Sequence, residues 1–370
     1  MQRIAIDDLE SGMVIARTII ASDGRALLNE NTRLNDTFIH RLRLLGVMSV
    51  YVKDGLADIE VPEIISSRVR ASVSATLNTS LKNFALKKTL DMESMKKLVS
   101  MLLEDIITNR NVILHLEDVR SYDDQLLMHS LNVAVFSMMT GFSMGYNEGK
   151  LVELGLGTLL HDIGMIMIDP DIIHRRDQLG NSESEIFRGH PEIGFNILRT
   201  YREVSTKVAH IAYQHHERFD GSGYPRQLNR KQILEYAKIA AIADAFDNVI
   251  SDTSSRQGYS ANDALTVLRK LGNTYFDPEM IEAFASNVAI YPVGCLLSLN
   301  TGHIAVVTSA TKINSTRPMV YLICDKEGQL IKPPYAIDLQ QCNEVSIIRR
   351  LSNQETEVIR TKFACQQKLN

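Results

Sequence analysis

Two short stretches hold the residues best able to do chemistry: His161-Asp162-Ile163-Gly164-Met165 and, about fifty residues later, His215-His216-Glu217-Arg218-Phe219-Asp220-Gly221-Ser222-Gly223-Tyr224-Pro225. Each histidine inside a fold needs a partner, so adjacent His-Asp and His-His pairs are unusual outside metal sites. Seven of the ten histidines fall between His129 and His216, with carboxylates among them. Imidazole suits zinc, manganese and iron, whereas carboxylates suit harder ions and can bridge two of them. This is the composition of a site for more than one metal ion. Such a site activates water, and the chemistry expected is metal-dependent hydrolysis.

The surrounding residues point the candidates inward. Leu159-Leu160 precedes His161, Ile211-Ala212 lies before His215, and the run Ile239–Ala243 delivers Asp244. A carboxylate after five apolar residues should point into the core, where its charge must be paired. Taken singly, His190 before Pro191 reads as a loop or cap residue, and His129-Ser130 as a satisfied core histidine. Asp244 with Asp247 reads as a surface pair. Beside the two adjacent pairs, His129, His190 and Asp244 read as further ligands. Gly221, Gly223 and Pro225 make a shaped turn next to them.

Three kinds of element should position these residues. Residues 1–60 read as a small α+β unit, with short strands, a hairpin-type turn at Asp23-Gly24, and a helix capped by Asn35 and ended by Gly46. A helical connecting segment follows over 61–114. Residues 115–290 continue as helices separated by polar breaks and form an all-α core. From Tyr291-Pro292 the apolar runs Val293–Leu299, Ile304–Thr308, Met319–Cys324 and Val345–Ile348 indicate a small antiparallel β domain over 291–370.

Bulk composition narrows the partners. Net charge is -4 and the basic residues are dispersed, which argues against a nucleic acid polymer as partner. Cys295, Cys324, Cys342 and Cys365 show no CxxC spacing, so neither a disulfide framework nor a cysteine zinc site is expected. The first residues lack the pattern of a signal peptide, and no stretch reads as a bilayer span. A cytoplasmic protein without membrane contact is the expectation.

The ordered set resembles the HD-GYP domain, a subdivision of the HD phosphohydrolase superfamily that degrades the bacterial second messenger cyclic di-GMP. The resemblance covers about residues 115–290: His129-Ser130, the HD pair, His190-Pro191, the complete HHExxDGxGYP run at 215–225, and Ala243-Asp244-Ala245-Phe246-Asp247. It implies a two-metal centre of iron or manganese. His161, Asp162 and Asp244 would serve one ion, with Asp162 bridging, and these three would be the catalytic set. His190, His215 and His216 would serve the other, with His129 nearby on the first helix. Members with a third metal carry Glu where this chain has Gln125, so two metals are favoured. Gly223, Tyr224 and Arg256 would contact substrate, and Tyr224 would be either the exposed anchor for diguanylate cyclase (GGDEF-type) domains or a tyrosine packed in the tight turn.

Two departures bear on rate. Met165 stands where the family's HDIGK has lysine, and Thr253 stands where the family has the first arginine after Asp252, while Arg256 keeps the second basic position. Three functions are therefore compatible with the residues. One is a cyclic di-GMP phosphodiesterase releasing pGpG or GMP. The others are a catalytically weak signalling protein that binds nucleotide or a cyclase, and a hydrolase of another phosphate ester. The segment 62–108 could pair subunits into a homodimer or serve the internal core.

Overall fold

The computed structural model describes the chain apart from residues 1, 22–24, 46, 48, 54–62, 114–124, 176–177, 252–258, 312–315 and 368–370. The expected Asp23-Gly24 turn and the Gly46 helix end therefore lie outside the described residues. At the N-terminal end come β1 (Gln2–Ala5), β2 (Ile19–Ile20), β3 (Ala26–Leu28), α1 (Asp36–Leu44) and β4 (Ser49–Val52). β1 pairs antiparallel with β4, and β2 with β3. Asn35 caps α1 by accepting from the Phe38 amide at 2.8 Å. Ile39 and Leu42 turn its buried face onto Ile15, Val50 and Val52.

The helical part comprises α2 (Ser67–Lys87), α3 (Met92–Thr108), α4 (Gln125–Ser143), α5 (Glu148–Leu159), α6 (Pro170–His174), α7 (Asn181–Arg188), α8 (His190–Leu198), α9 (Thr206–Gln214), α10 (Glu235–Ile250), α11 (Ala261–Lys270) and α12 (Pro278–Ala285). One continuous core runs through it. Leu77 of α2 and Met95, Leu98 and Leu102 of α3 join the same cluster as α4, α5, α9 and α10. At its centre Phe136, Phe246 and Phe284 make edge-on and tilted contacts with centroids 4.8–5.7 Å apart. α4 is the apolar axis of this bundle. Its stretch Leu126–Ser143 is long and apolar enough to cross a membrane, with mean hydropathy 1.3, and 72% of it is buried in the fold. That corrects the expectation that no stretch reaches such a length; burial by neighbouring helices accounts for its composition.

The C-terminal part is a five-stranded antiparallel sheet in the order β8-β7-β6-β5-β9. Its strands are β5 (Leu296–Leu299), β6 (Ile304–Ser309), β7 (Met319–Cys324), β8 (Leu330–Asp338) and β9 (Ile347–Arg350), and α13 (Asn353–Gln367) follows. The mainly-β expectation holds, but β8 and α13 were not legible. β8 contains Pro333-Pro334, which an edge strand tolerates because one side needs no ladder bonds. Among its described side chains α13 buries Ile359 and Phe363 against the sheet, a stripe too sparse to announce a helix. Ile113, just after α3, is wholly buried in the sheet's own core. That side chain ties the sheet to the helical part.

Candidate metal centre

Five packed elements converge on the site. α4 presents His129, Asn132 and Phe136 at i, i+3 and i+7 toward α10, which presents Asp244, Phe246 and Asp247. His161 and Asp162 lie in the turn after α5, and the tight 3-10 segment Ile163–Met167 follows. His190 opens α8, while His215 closes α9 and His216 follows it. Gly164 lets the HD turn reach α8: a Cβ there would meet the His190 carbonyl oxygen at 2.1 Å. Any side chain at Gly164 would thus push two ligand-bearing segments apart.

All seven expected ligands come together, in two groups. Asp162, His190, His215 and His216 form one, and His129, His161 and Asp244 the other; in each, ligand atoms lie within 4.8 Å of one another. Asp162 faces both groups. Its Oδ1 is 3.2 Å from His190 Nε2 and 3.4 Å from His215 Nε2, and its Oδ2 is 3.5 Å from His161 Nε2. Such placement suits a carboxylate shared between two ions. The groups also touch where His216 Nδ1 stands 3.8 Å from Asp244 Oδ2.

Hydrogen bonding fixes which nitrogen each ring offers. Nδ1 of His161 donates to the Thr158 carbonyl and Nδ1 of His190 to the Phe187 carbonyl, both at 2.7 Å. Nδ1 of His215 donates to the Ala212 carbonyl at 2.9 Å. In the neutral ring each Nε2 then carries the lone pair, and it points inward. The Nε2 atoms of His190 and His215 are 3.4 Å apart, and in neutral rings both are acceptors facing each other. His161 Nε2 and Asp162 Oδ1 are buried without a hydrogen bond. Buried, mutually facing lone pairs are costly unless a cation lies between them. The donor set fits divalent metal ions.

Charge follows the same pattern. Burial pushes His161 down to about 4, against the pull of Asp162. Burial likewise drives His216 well below the usual histidine range. Burial acts to raise Asp162, but His161, His190 and His215 outweigh it and hold the carboxylate ionised. Burial also opposes charge on His129, yet Asp244 and Asp247 hold it protonated well above the usual range. Binding of a metal there must displace that proton.

Several supporting residues escaped the sequence reading. Asp247 is 2% exposed, so the surface-pair reading of Asp244 and Asp247 is wrong. Its carboxylate accepts from His129 Nδ1 at 2.6 Å and from Asn132 Nδ2 at 2.9 Å, orienting the imidazole. Glu217 is 1% exposed and accepts from the backbone N–H groups of Arg226 and Leu228, both at 2.8 Å. It pins the chain that leaves the Gly-Tyr-Pro turn. Gln214 accepts from the Leu234 amide at 2.8 Å and so fixes the start of α10, which carries Asp244. Their signal in the sequence was polarity inside apolar or motif-bearing runs, which cannot tell a ligand from a strut.

The expected substrate contacts fare differently. Gly223 is buried against the ligand segment, where a Cβ would meet Arg218 N at 2.4 Å and the His216 carbonyl oxygen at 2.5 Å. Close approach, rather than an unusual backbone angle, demands glycine there. Tyr224 is half-buried and stacked on His216 with centroids 4.6 Å apart, the packing role that the tight turn also allowed. Thr253 and Arg256 lie outside the described residues, as does the side chain of Gln125. Met165 is 6% exposed and packs with Ile168 and Ile172 against Leu126, Phe187 and Ile193. A small apolar core occupies the place of the family's lysine.

Comparison with known proteins agrees with this geometry. Residues 101–280 match the HD domain family, beginning within α3, and residues 296–358 match the KOW domain associated with HD domain. A cyclic di-GMP phosphodiesterase of Pseudomonas aeruginosa is 28% identical over 77% of this chain and 68% of its own length. A 3'3'-cGAMP-specific phosphodiesterase of Vibrio cholerae is 30% identical over 42% of this chain and 30% of its own. Among solved structures, an HDG"Y"P protein from Bdellovibrio bacteriovorus shares the fold with TM-score 0.51 at 17% identity, covering 77% of this chain and 98% of its own. With its ligand cluster assembled and its motifs in register, the helical part over residues 101–280 is an HD domain, and the chain is a metal-dependent phosphohydrolase.

Proposed function

We propose that the protein hydrolyses cyclic di-GMP to pGpG or GMP with two divalent ions, iron or manganese, held by His129, His161, Asp162, His190, His215, His216 and Asp244. The observation that carries this reading is the placement of Asp162, whose two oxygens face two separate ligand groups. The similarity to cyclic dinucleotide phosphodiesterases supports the substrate class. Bound ions would supply Lewis acidity, making water nucleophilic near neutral pH and drawing charge from the attacked phosphodiester.

The protein's own residues do the rest. Asp162 and Asp244 stay ionised and keep the site able to accept cations. Asn248 donates to Asp244 Oδ1 at 2.7 Å and holds that carboxylate in one orientation. Tyr224, stacked on His216, covers one side of the centre and limits water there. Gly223 keeps this turn seated on the ligand segment.

A second reading is a weakly hydrolysing signalling protein that binds nucleotide or a GGDEF-type cyclase domain. It is favoured by Met165, which places an apolar cluster where a phosphate-binding cation would serve turnover. A third is hydrolysis of another phosphate ester, of which 3'3'-cGAMP is a concrete case. Metal analysis of the purified protein with product identification separates the three. Two metals per chain and pGpG or GMP from cyclic di-GMP support the first, and bound metal with ligand binding but no product supports the second. Turnover of cGAMP or another ester alone supports the third.

A further inference from the structure

Arg188 closes α7, two residues before the ligand His190. Its guanidinium carbon stands 5.3 Å from the centroid of the Tyr224 ring, and that ring is stacked on the ligand His216. The side chain is exposed, and among the described residues no carboxylate or carbonyl holds it. Neighbouring arginines are committed elsewhere. Arg175 is paired with Glu183 at 2.7 Å. Arg218 donates to the carbonyls of His215 and Glu217 and lies over Phe276. Arg188 thus has its hydrogen-bond donors unused at the rim of the ligand cluster.

A cyclic dinucleotide carries two phosphodiesters, one negative charge each, on opposite sides of its macrocycle. The ligand cluster can engage only the one being cleaved. The other needs a cation outside the cluster, and Met165 with its apolar neighbours provides none on the HD turn. Phe187 belongs to that apolar group, so the end of α7 is anchored beside the turn while the adjacent Arg188 faces solvent. A guanidinium can lie over an aromatic ring and still offer two parallel N–H groups to a phosphate. We propose that Arg188, steadied on Tyr224, binds the uncleaved phosphodiester of a cyclic dinucleotide. This rests on the reading of the site as a cyclic dinucleotide hydrolase.

The test compares the full-length wild type with Arg188→Ala and Arg188→Lys, each metal-loaded, by kinetics and by equilibrium binding of cyclic di-GMP. Arg188→Ala should raise both KM and Kd about tenfold while kcat stays within about twofold, the effect of losing one exposed charge-assisted contact. Arg188→Lys should recover part of the loss, and added salt should raise the wild-type KM more steeply than that of Arg188→Ala. Unchanged KM and Kd overturn the proposal. So does a joint loss of kcat and bound metal, which would make Arg188 a support for His190. A wild type that binds cyclic di-GMP without cleaving it refutes the hydrolase reading alone, because the Kd of Arg188→Ala still decides the role of Arg188. A wild type that does neither overturns both.

Discussion

Asp247 and Met165 show how much a single side chain decides at this site. Asp247 touches no expected ion, yet its carboxylate sets the tautomer of His129. Asp247→Asn keeps the volume and weakens the acceptor. We expect metal affinity to fall by roughly 10- to 100-fold, confined to the group formed by His129, His161 and Asp244. Metal titration should then show one site weakened and the other retained; equal loss at both would refute this placement. Met165→Lys restores the family residue but sets an ammonium group into an apolar cluster. It should destabilise the fold by roughly 1–3 kcal/mol with no gain in turnover. A gain in turnover at unchanged Tm would mean that the new side chain escapes the cluster and reaches the substrate.

Among the elements, the decisive one is the short segment joining α9 to α10. It carries two ligands, the Gly-Tyr-Pro turn and the lead into Asp244, and two buried polar side chains brace it. Glu217 accepts two backbone N–H groups. In Glu217→Gln one oxygen becomes an NH2 that faces a backbone N–H, leaving a buried donor unpaired. The expected cost is about 1–3 kcal/mol of stability, read by chemical denaturation, together with reduced turnover. Full stability in the variant would show that the brace is not needed. The sequence made the long helices and most of the C-terminal strands legible, because their apolar periodicity was strong. It missed β8, whose prolines are tolerated only at a sheet edge, and α13, whose described buried side chains are Ile359 and Phe363.

For the whole molecule, the ligand cluster is a stability device as well as a reactive one, since empty it holds buried lone pairs against each other. Chelation should lower Tm, because ions bind the folded state and not the unfolded chain. The metal-free protein should also lose stability as pH falls from about 6.5 to about 4. Burial holds folded His161 down to about 4 against an ordinary value of 6.5, so across that window the unfolded chain binds more protons. His216 is depressed by burial and acts in the same direction. His129, held protonated by Asp244 and Asp247, contributes fully throughout the window and does not oppose the trend. A metal-free Tm that is flat or rises on acidification from pH 6.5 to 4 would contradict these assignments.

The amino-acid sequence by itself determined which residues could ligate metal, because adjacent His-Asp and His-His pairs and a carboxylate behind an apolar run leave few other uses. It also determined the helical core and the β-rich end through their periodicity. Only the tertiary structure decided how the ligands divide, with Asp162 facing both groups and His129 joining His161 and Asp244. It alone separated Asp247, Glu217 and Gln214 as struts from the ligands they resemble, and it stacked Tyr224 on His216, where the sequence left anchor and packing roles both open. The physical reason is that hydrogen-bond partners and burial are set by contacts between segments far apart in the chain. His129 and Asp247 lie 118 positions apart, and no local pattern records their 2.6 Å contact.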